Sequence, residues 1–318
     1  MGYEKKKVVV IGGGTGLPVL LKGLKKYPID LTALVTVADD GGSTGVLREK
    51  YNIPAPGDIR NVITALSEAD EEMLKLFQHR FQTSNELSGH ALGNIVLAVL
   101  TEVKDGFYEA IQELSKVLEV KGKIYPVTNE SISLITEMED GTIINGESNI
   151  PLAKKKIKRL FLGPEVVTPI PEVIDAIIEA DFIVISPGSL YTSIMPNLII
   201  PEINQAFKRS KAHFIYVCNI MTQDGETTDY RASDHVKAIH DHIGEKILDT
   251  IIVNNGKIDD KIKACYEREN ARQVENDLEQ LKALGLKIIE EDIVDVSLGA
   301  IRHNTFKVSQ IIFQLMSP

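Results

Sequence analysis

The chain predicts an α/β fold, built from βαβ units around a mostly parallel sheet. Three observations carry that prediction. Short apolar runs of strand length alternate with longer segments of helical period. Glycine clusters stand directly after several of those runs, where strand gives way to helix. No linker, low-complexity stretch or internal repeat interrupts the rhythm, so residues 1–318 read as a single domain.

Residues 8–11, Val-Val-Val-Ile, form the first expected strand, and 17–26 the helix after it. A second strand covers 31–37. Helices are expected over 59–66, 71–81, 94–103 and 108–118 from their apolar spacing. Residues 131–150 break the pattern: Asp140-Gly141 between alternating segments signals a hairpin, at a sheet edge or as a small flap. The rhythm then resumes. Helices are expected at 171–179, with Pro171 at the start, at 201–209 and at 234–242. Strands are expected at 182–186, 213–218 and from Ile251-Ile252. Val274, Leu278 and Leu281 repeat as i, i+4 and i+7, giving a helix that Gly285 ends, and 286–289 follows as a strand.

Composition limits the function classes. The 45 acidic and 35 basic side chains give a net charge of −10, which disfavours diffuse binding to nucleic acid or an anionic membrane. A charged N-terminus and the lack of any apolar run near membrane-span length predict a cytoplasmic protein without membrane insertion. Cys218 and Cys265 are far apart and form no zinc or disulfide motif; Cys218 reads as a buried small hydrophobe.

The loops carry the chemistry. Gly12-Gly13-Gly14-Thr15-Gly16 joins the first strand to its helix, where backbone N–H groups and the helix N-terminus can meet an anion. No lysine follows, so it is not a Walker loop, and Leu17 spoils the dinucleotide fingerprint. Asp39-Asp40-Gly41-Gly42-Ser43 ends the second strand. Its carboxylates suit a ribose diol, Mg²⁺ on a diphosphate, or the cap of a following helix. Asp58 opens a helix as a candidate N-cap, with Arg60 and Asn61 in its first turn near any bound phosphate. His90 and Asn94 start another helix, with His90 either structural or ligand-contacting. Pro187-Gly188-Ser189 follows a strand, and Asn219 and Thr222 follow the next. His235, His240 and His242 lack metal-pair spacing and read as a solvated face. The basic run Lys154, Lys155, Lys156, Lys158 and Arg159 reads as a solvated edge strand or loop, with an anionic partner as the alternative.

Taken together, GGGTGLPVLLKGL from Gly12, VTVADDGGSTGVLR from Val35, PGDIRN from Pro56, GHALGN from Gly89, SPGSLYTSIMPNL from Ser186 and NIMTQDGET from Asn219 resemble the YvcK/CofD-like family, in its gluconeogenesis-factor branch. The resemblance runs over nearly the whole chain in motif order. It implies a Rossmann-like three-layer α/β/α fold and a cytoplasmic protein needed for cell shape and growth on gluconeogenic carbon sources. It also implies binding of UDP-sugars, notably UDP-N-acetylglucosamine, without an established reaction, and a protein partner in cell-wall synthesis. Tyr266 and Arg302, in KACYEREN and GAIRHNTF, match positions linked to that ligand, and Arg302 suits a diphosphate. The family's enzyme branch transfers a phospholactyl group from a guanosine diphosphate-linked donor using Mg²⁺; there Asp40 and Asp58 match the acidic positions. A transferase of that kind and an NAD-type binder with Asp39 on a ribose are the alternatives. No motif pairs a nucleophile with a base, which favours a ligand-binding regulator over an enzyme. Arg302 and Thr305 form an Arg-x-x-Thr pattern, making Thr305 a candidate phosphosite.

Overall fold

A computed structural model describes residues 5–82, 86–297 and 300–316. In chain order the strands are β1 (Lys7–Gly12), β2 (Asp30–Val35), β3 (Lys123–Pro126), β4 (Ser133–Met138), β5 (Ile143–Asn145), β6 (Ile157–Gly163), β7 (Phe182–Ile185), β8 (His213–Val217), β9 (Thr250–Asn254), β10 (Lys287–Glu291), β11 (Val294–Ser297) and β12 (Ala300–His303).

Seven of them form the central sheet in the order β10-β9-β8-β7-β1-β2-β3, and every neighbouring pair is parallel. Val8 to Ile11 are almost wholly buried, as a parallel strand covered on both faces must be. The helices pack in two groups, making the expected three layers. Gly16–Leu24, Pro56–Leu66 and Thr305–Leu315 belong to one group, Pro171–Glu179 and Pro201–Arg209 to the other. The chain leaves β1 through β2 and β3 in one direction, then returns to β7 and runs through β8 to β10 in the other. The direction therefore switches between β1 and β7, where Ile11 lies level with Ile185. A crevice outside the carboxyl ends of the strands is expected there.

Asp140-Gly141 does make a hairpin, with Gly141 at φ +82°. Its strands join β6 in a separate antiparallel sheet, β5-β4-β6, so it is a flap rather than an edge of the main sheet. Lys158 and Arg159 are exposed on its outer strand, in line with the solvated-edge reading.

Three expectations are corrected. The helix from Glu71 ends at Gln78, and Val274 lies outside Leu278–Ala283 because its N–H pairs with the Ile220 carbonyl. The histidines of Ala232–Ile243 are not a solvated face. His235 and His240 are buried, His235 against the Tyr230 ring, and His242 accepts the flap's Leu160 N–H at 3.1 Å. Burial lowers the pKa of all three. The helices Gly42–Tyr51 and Asp260–Arg268, the β11–β12 hairpin and the terminal helix escaped periodicity. Gly299, the first residue of GAIRHNTF, lies outside the described residues.

Candidate functional site

A cleft of about 280 Å³ opens at the switch point. The first glycine loop forms one wall with Gly14, Thr15 and Gly16; Pro187, Gly188, Ser189 and Ser193 form the next. Asn219, Thr222 and Gln223 come from the loop after β8, and Tyr266, Arg302 and Thr305 close the far side.

Glycine is required here first by packing. A Cβ on Gly16 would lie 1.9 Å from the Pro187 carbonyl oxygen, and one on Gly12 would lie 2.1 Å from Ser186 Oγ. The two loops thus touch through backbone. Gly14 sits at φ +62°, and its N–H donates to Asp58 Oδ2 at 2.7 Å, away from the cleft. Gly13 is also confined, with Thr36 and Asp58 inside contact distance of any Cβ.

Several residues expected to contact a ligand hold the loops together. Asn219 accepts the Gly188 N–H at 3.2 Å and donates Nδ2 to the Gly188 carbonyl at 2.8 Å. Gln223 donates Nε2 to Ser189 Oγ at 2.7 Å, and Thr222 Oγ1 accepts the Arg272 N–H. The Tyr266 hydroxyl accepts the Ile301 N–H at 2.8 Å, fixing the strand that carries Arg302. His303 Nε2 lies 2.9 Å from the Cys218 carbonyl oxygen, and burial lowers its pKa to about 4. It is therefore neutral and anchors β12 to the end of β8. The exposed Arg302 guanidinium makes one hydrogen bond, to the Ile301 carbonyl. Among the described residues lining the cleft, it is the only permanent cation.

The remaining predicted residues gather in a second cluster and do not line the cleft. Asp39 Oδ1 accepts the Gly41 N–H. Gly42 and Ser43 begin the helix Gly42–Tyr51, so the acidic loop is partly a helix entry. Arg60 is buried and turned inward, donating to Asn94 Oδ1 at 3.0 Å and Asn61 Oδ1 at 2.7 Å. Asn94 donates to Ser43 Oγ at 3.2 Å, which lies 3.0 Å from His90 Nδ1. Arg60 and Asn61, expected near any phosphate held by the neighbouring loops, lie outside the lining of this cleft, and these amide partners engage the buried guanidinium.

Asp40 clasps the flap, accepting Glu147 N–H at 2.8 Å and Ser148 N–H at 2.9 Å through separate oxygens. Burial, with Asp39 nearby, raises Asp58 to about 6 despite the Gly14 bond. Asp40 and Asp58 are thus both engaged by backbone N–H groups, and no group of three or more His, Cys, Asp or Glu side chains able to hold a metal gathers among the described residues.

Sequence reasoning gave no individual role to Arg48, Glu147, Ser193 or Glu226, although Ser193 and Glu226 stand in loops it singled out. Arg48 ties the acidic loop to the flap through the carbonyls of Ala38, Asp39 and Ile132. Burial raises Glu147 and Glu226 to about 7, and Thr192 Oγ1 donates to Glu226 at 3.4 Å. Arg48 and Glu226 lie inside VTVADDGGSTGVLR and NIMTQDGET, and no motif marks Glu147; in all three, long-range packing creates the environment.

A sequence-family model described as 2-phospho-L-lactate transferase CofD matches residues 8–294. The gluconeogenesis factor of Bacillus subtilis is 52% identical over 98% of this chain and 99% of its own. That of Halalkalibacterium halodurans is 54% identical over 98% and 97%. A Bacillus halodurans protein solved by crystallography is 54% identical and superposes with a TM-score of 0.96, over 98% of this chain and 100% of the other. Among the described residues no helix is long and apolar enough to cross a membrane.

Proposed function

The chain belongs to the YvcK/CofD-like family, in its gluconeogenesis-factor branch, and from that footing we propose that it is a cytoplasmic regulator that binds a nucleoside diphosphate-linked sugar, UDP-N-acetylglucosamine in particular. In this reading it reports precursor supply to a protein partner in cell-wall synthesis, and so supports cell shape and growth on gluconeogenic carbon. The observation that carries it is Arg302, exposed and lining the same cleft as the N-terminus of helix Gly16–Leu24. A guanidinium fork and a positive helix end in one cleft suit a diphosphate. A metal-dependent transferase is less well supported, since Asp40 and Asp58 are engaged by backbone N–H groups.

Calorimetric titration with UDP-N-acetylglucosamine, UDP-glucose, NAD and GDP, each with and without Mg²⁺, tests the proposal. Metal-independent preference for the UDP-sugars is expected. Mg²⁺-dependent binding of GDP alone would favour the transferase instead.

A further inference from the structure

Helix Leu92–Lys104 has the sequence LGNIVLAVLTEVK, apolar around most of its circumference, as befits a helix covered on every side. Its coverage is incomplete. Leu97 and Ala98 are buried, whereas Val99 and Val103, one turn apart, are 54% and 68% exposed. On the adjacent helix Gly42–Tyr51, Val46 and Tyr51 are also exposed. A groove of about 120 Å³ runs along these elements, lined by Val46, Leu47, Tyr51, Ile95, Ala98 and Val99. Beneath it Leu47, Ile53 and Ala98 form a hydrophobic cluster separate from the main core. An apolar concavity of this kind gains free energy when covered.

Charge selects the occupant. Glu86 and Glu102 stand at the groove, and Lys50, the basic side chain among its described lining residues, is held by Glu86 at 3.4 Å. The surplus is acidic, on a chain of net charge −10. A second copy would bring the same acidic groove against it, whereas a basic partner would complement it. The groove also touches the polar cluster, since His90 lines it and contacts Ser43.

We propose that this groove docks an amphipathic helical segment of another protein, apolar on one face and rich in lysine or arginine beside it. The inference deepens the regulatory reading by naming the kind of partner. Its test needs no nucleotide, so the two can fail separately.

The probe is a fluorescent helical peptide of about 16 residues with leucines at i, i+3, i+4 and i+7 and lysines flanking them. Anisotropy with the full chain should show saturable binding. Replacing the leucines by serine, or the lysines by glutamate, should weaken it about tenfold or more. Val99→Glu, a surface change, should cause a comparable loss with an unchanged circular dichroism spectrum. Val46→Ser provides a second, milder variant with a partial loss. The proposal is overturned by absence of binding, by equal binding of the serine peptide, or by unaffected binding to both variants. It is also overturned if sedimentation equilibrium shows a wild-type dimer that Val99→Glu dissociates, which would assign the groove to a second copy.

Discussion

Arg302 is the residue on which the binding proposal rests. Losing a charge-assisted bond to phosphate costs about 1.5–3 kcal/mol, so Arg302→Ala should weaken UDP-N-acetylglucosamine about 10- to 150-fold by calorimetry. Arg302→Lys should recover part of that, because lysine lacks the planar fork. Equal affinities in all three proteins would remove this side chain from the site. Thr305 begins the terminal helix and also lines the cleft, so Thr305→Glu should weaken the same titration by placing negative charge where the ligand brings its own. Gly14→Val is a poor probe of the loop, since a β-branched residue at φ +62° is strained whether or not a ligand binds. Asp58 gives a pH prediction with a definite sign. Its pKa rises from 3.8 unfolded to about 6 folded, so its favourable contribution is present below pH 4 and lost as pH rises through 6. Asp58→Asn keeps an acceptor for Gly14 N–H but cannot titrate. Between pH 4 and 7 the wild type should lose on the order of 3 kcal/mol relative to the variant, measured by urea denaturation at each pH. A pH-independent difference would contradict the assignment.

At the scale of elements, the flap and the C-terminal hairpin are each tied to the rest of the fold by identifiable side-chain bonds. Asp40 supplies both oxygens to the flap turn at Glu147 and Ser148. Asp40→Ala should therefore accelerate hydrogen exchange in 143–153, while EDTA added to the wild type should change neither that exchange nor ligand affinity. A chelator effect matching the substitution would restore a metal role. The hairpin β11–β12 reaches the cleft through the Tyr266–Ile301 and His303–Cys218 bonds. Its following helix docks where Gly23 faces Ser309, and a Cβ on Gly23 would lie 2.1 Å from Ser309 Oγ. The strand-to-helix rhythm was legible because each βα unit carries its own apolar period. The hairpin and the helix Gly42–Tyr51 were not, since Gly42 and Gly45 depress helix propensity and β12 takes its place from partners distant in sequence.

At the scale of the whole molecule, the switch between β1 and β7 makes the site, because it alone leaves two adjacent loops without a crossing helix between them. Gly16→Ala should force those loops apart at Pro187 and destabilise the protein by about 1–3 kcal/mol in chemical denaturation. A neutral effect would mean the loops can separate freely. What the sequence determined by itself was local: apolar periods that specify strands and helices, a turn dipeptide that specifies a hairpin, and glycines at strand ends. It also placed the family, through six motifs in order. What only the tertiary structure decided was which of those motifs face one another. Gly14, Ser189 and Arg302 share a cleft, whereas Asp40 holds a flap and Arg60 turns to Asn94. A loop motif states which groups are available. Whether a carboxylate or guanidinium meets a ligand or a backbone N–H depends on burial and on partners tens to hundreds of residues away, and that is settled only when the chain has packed.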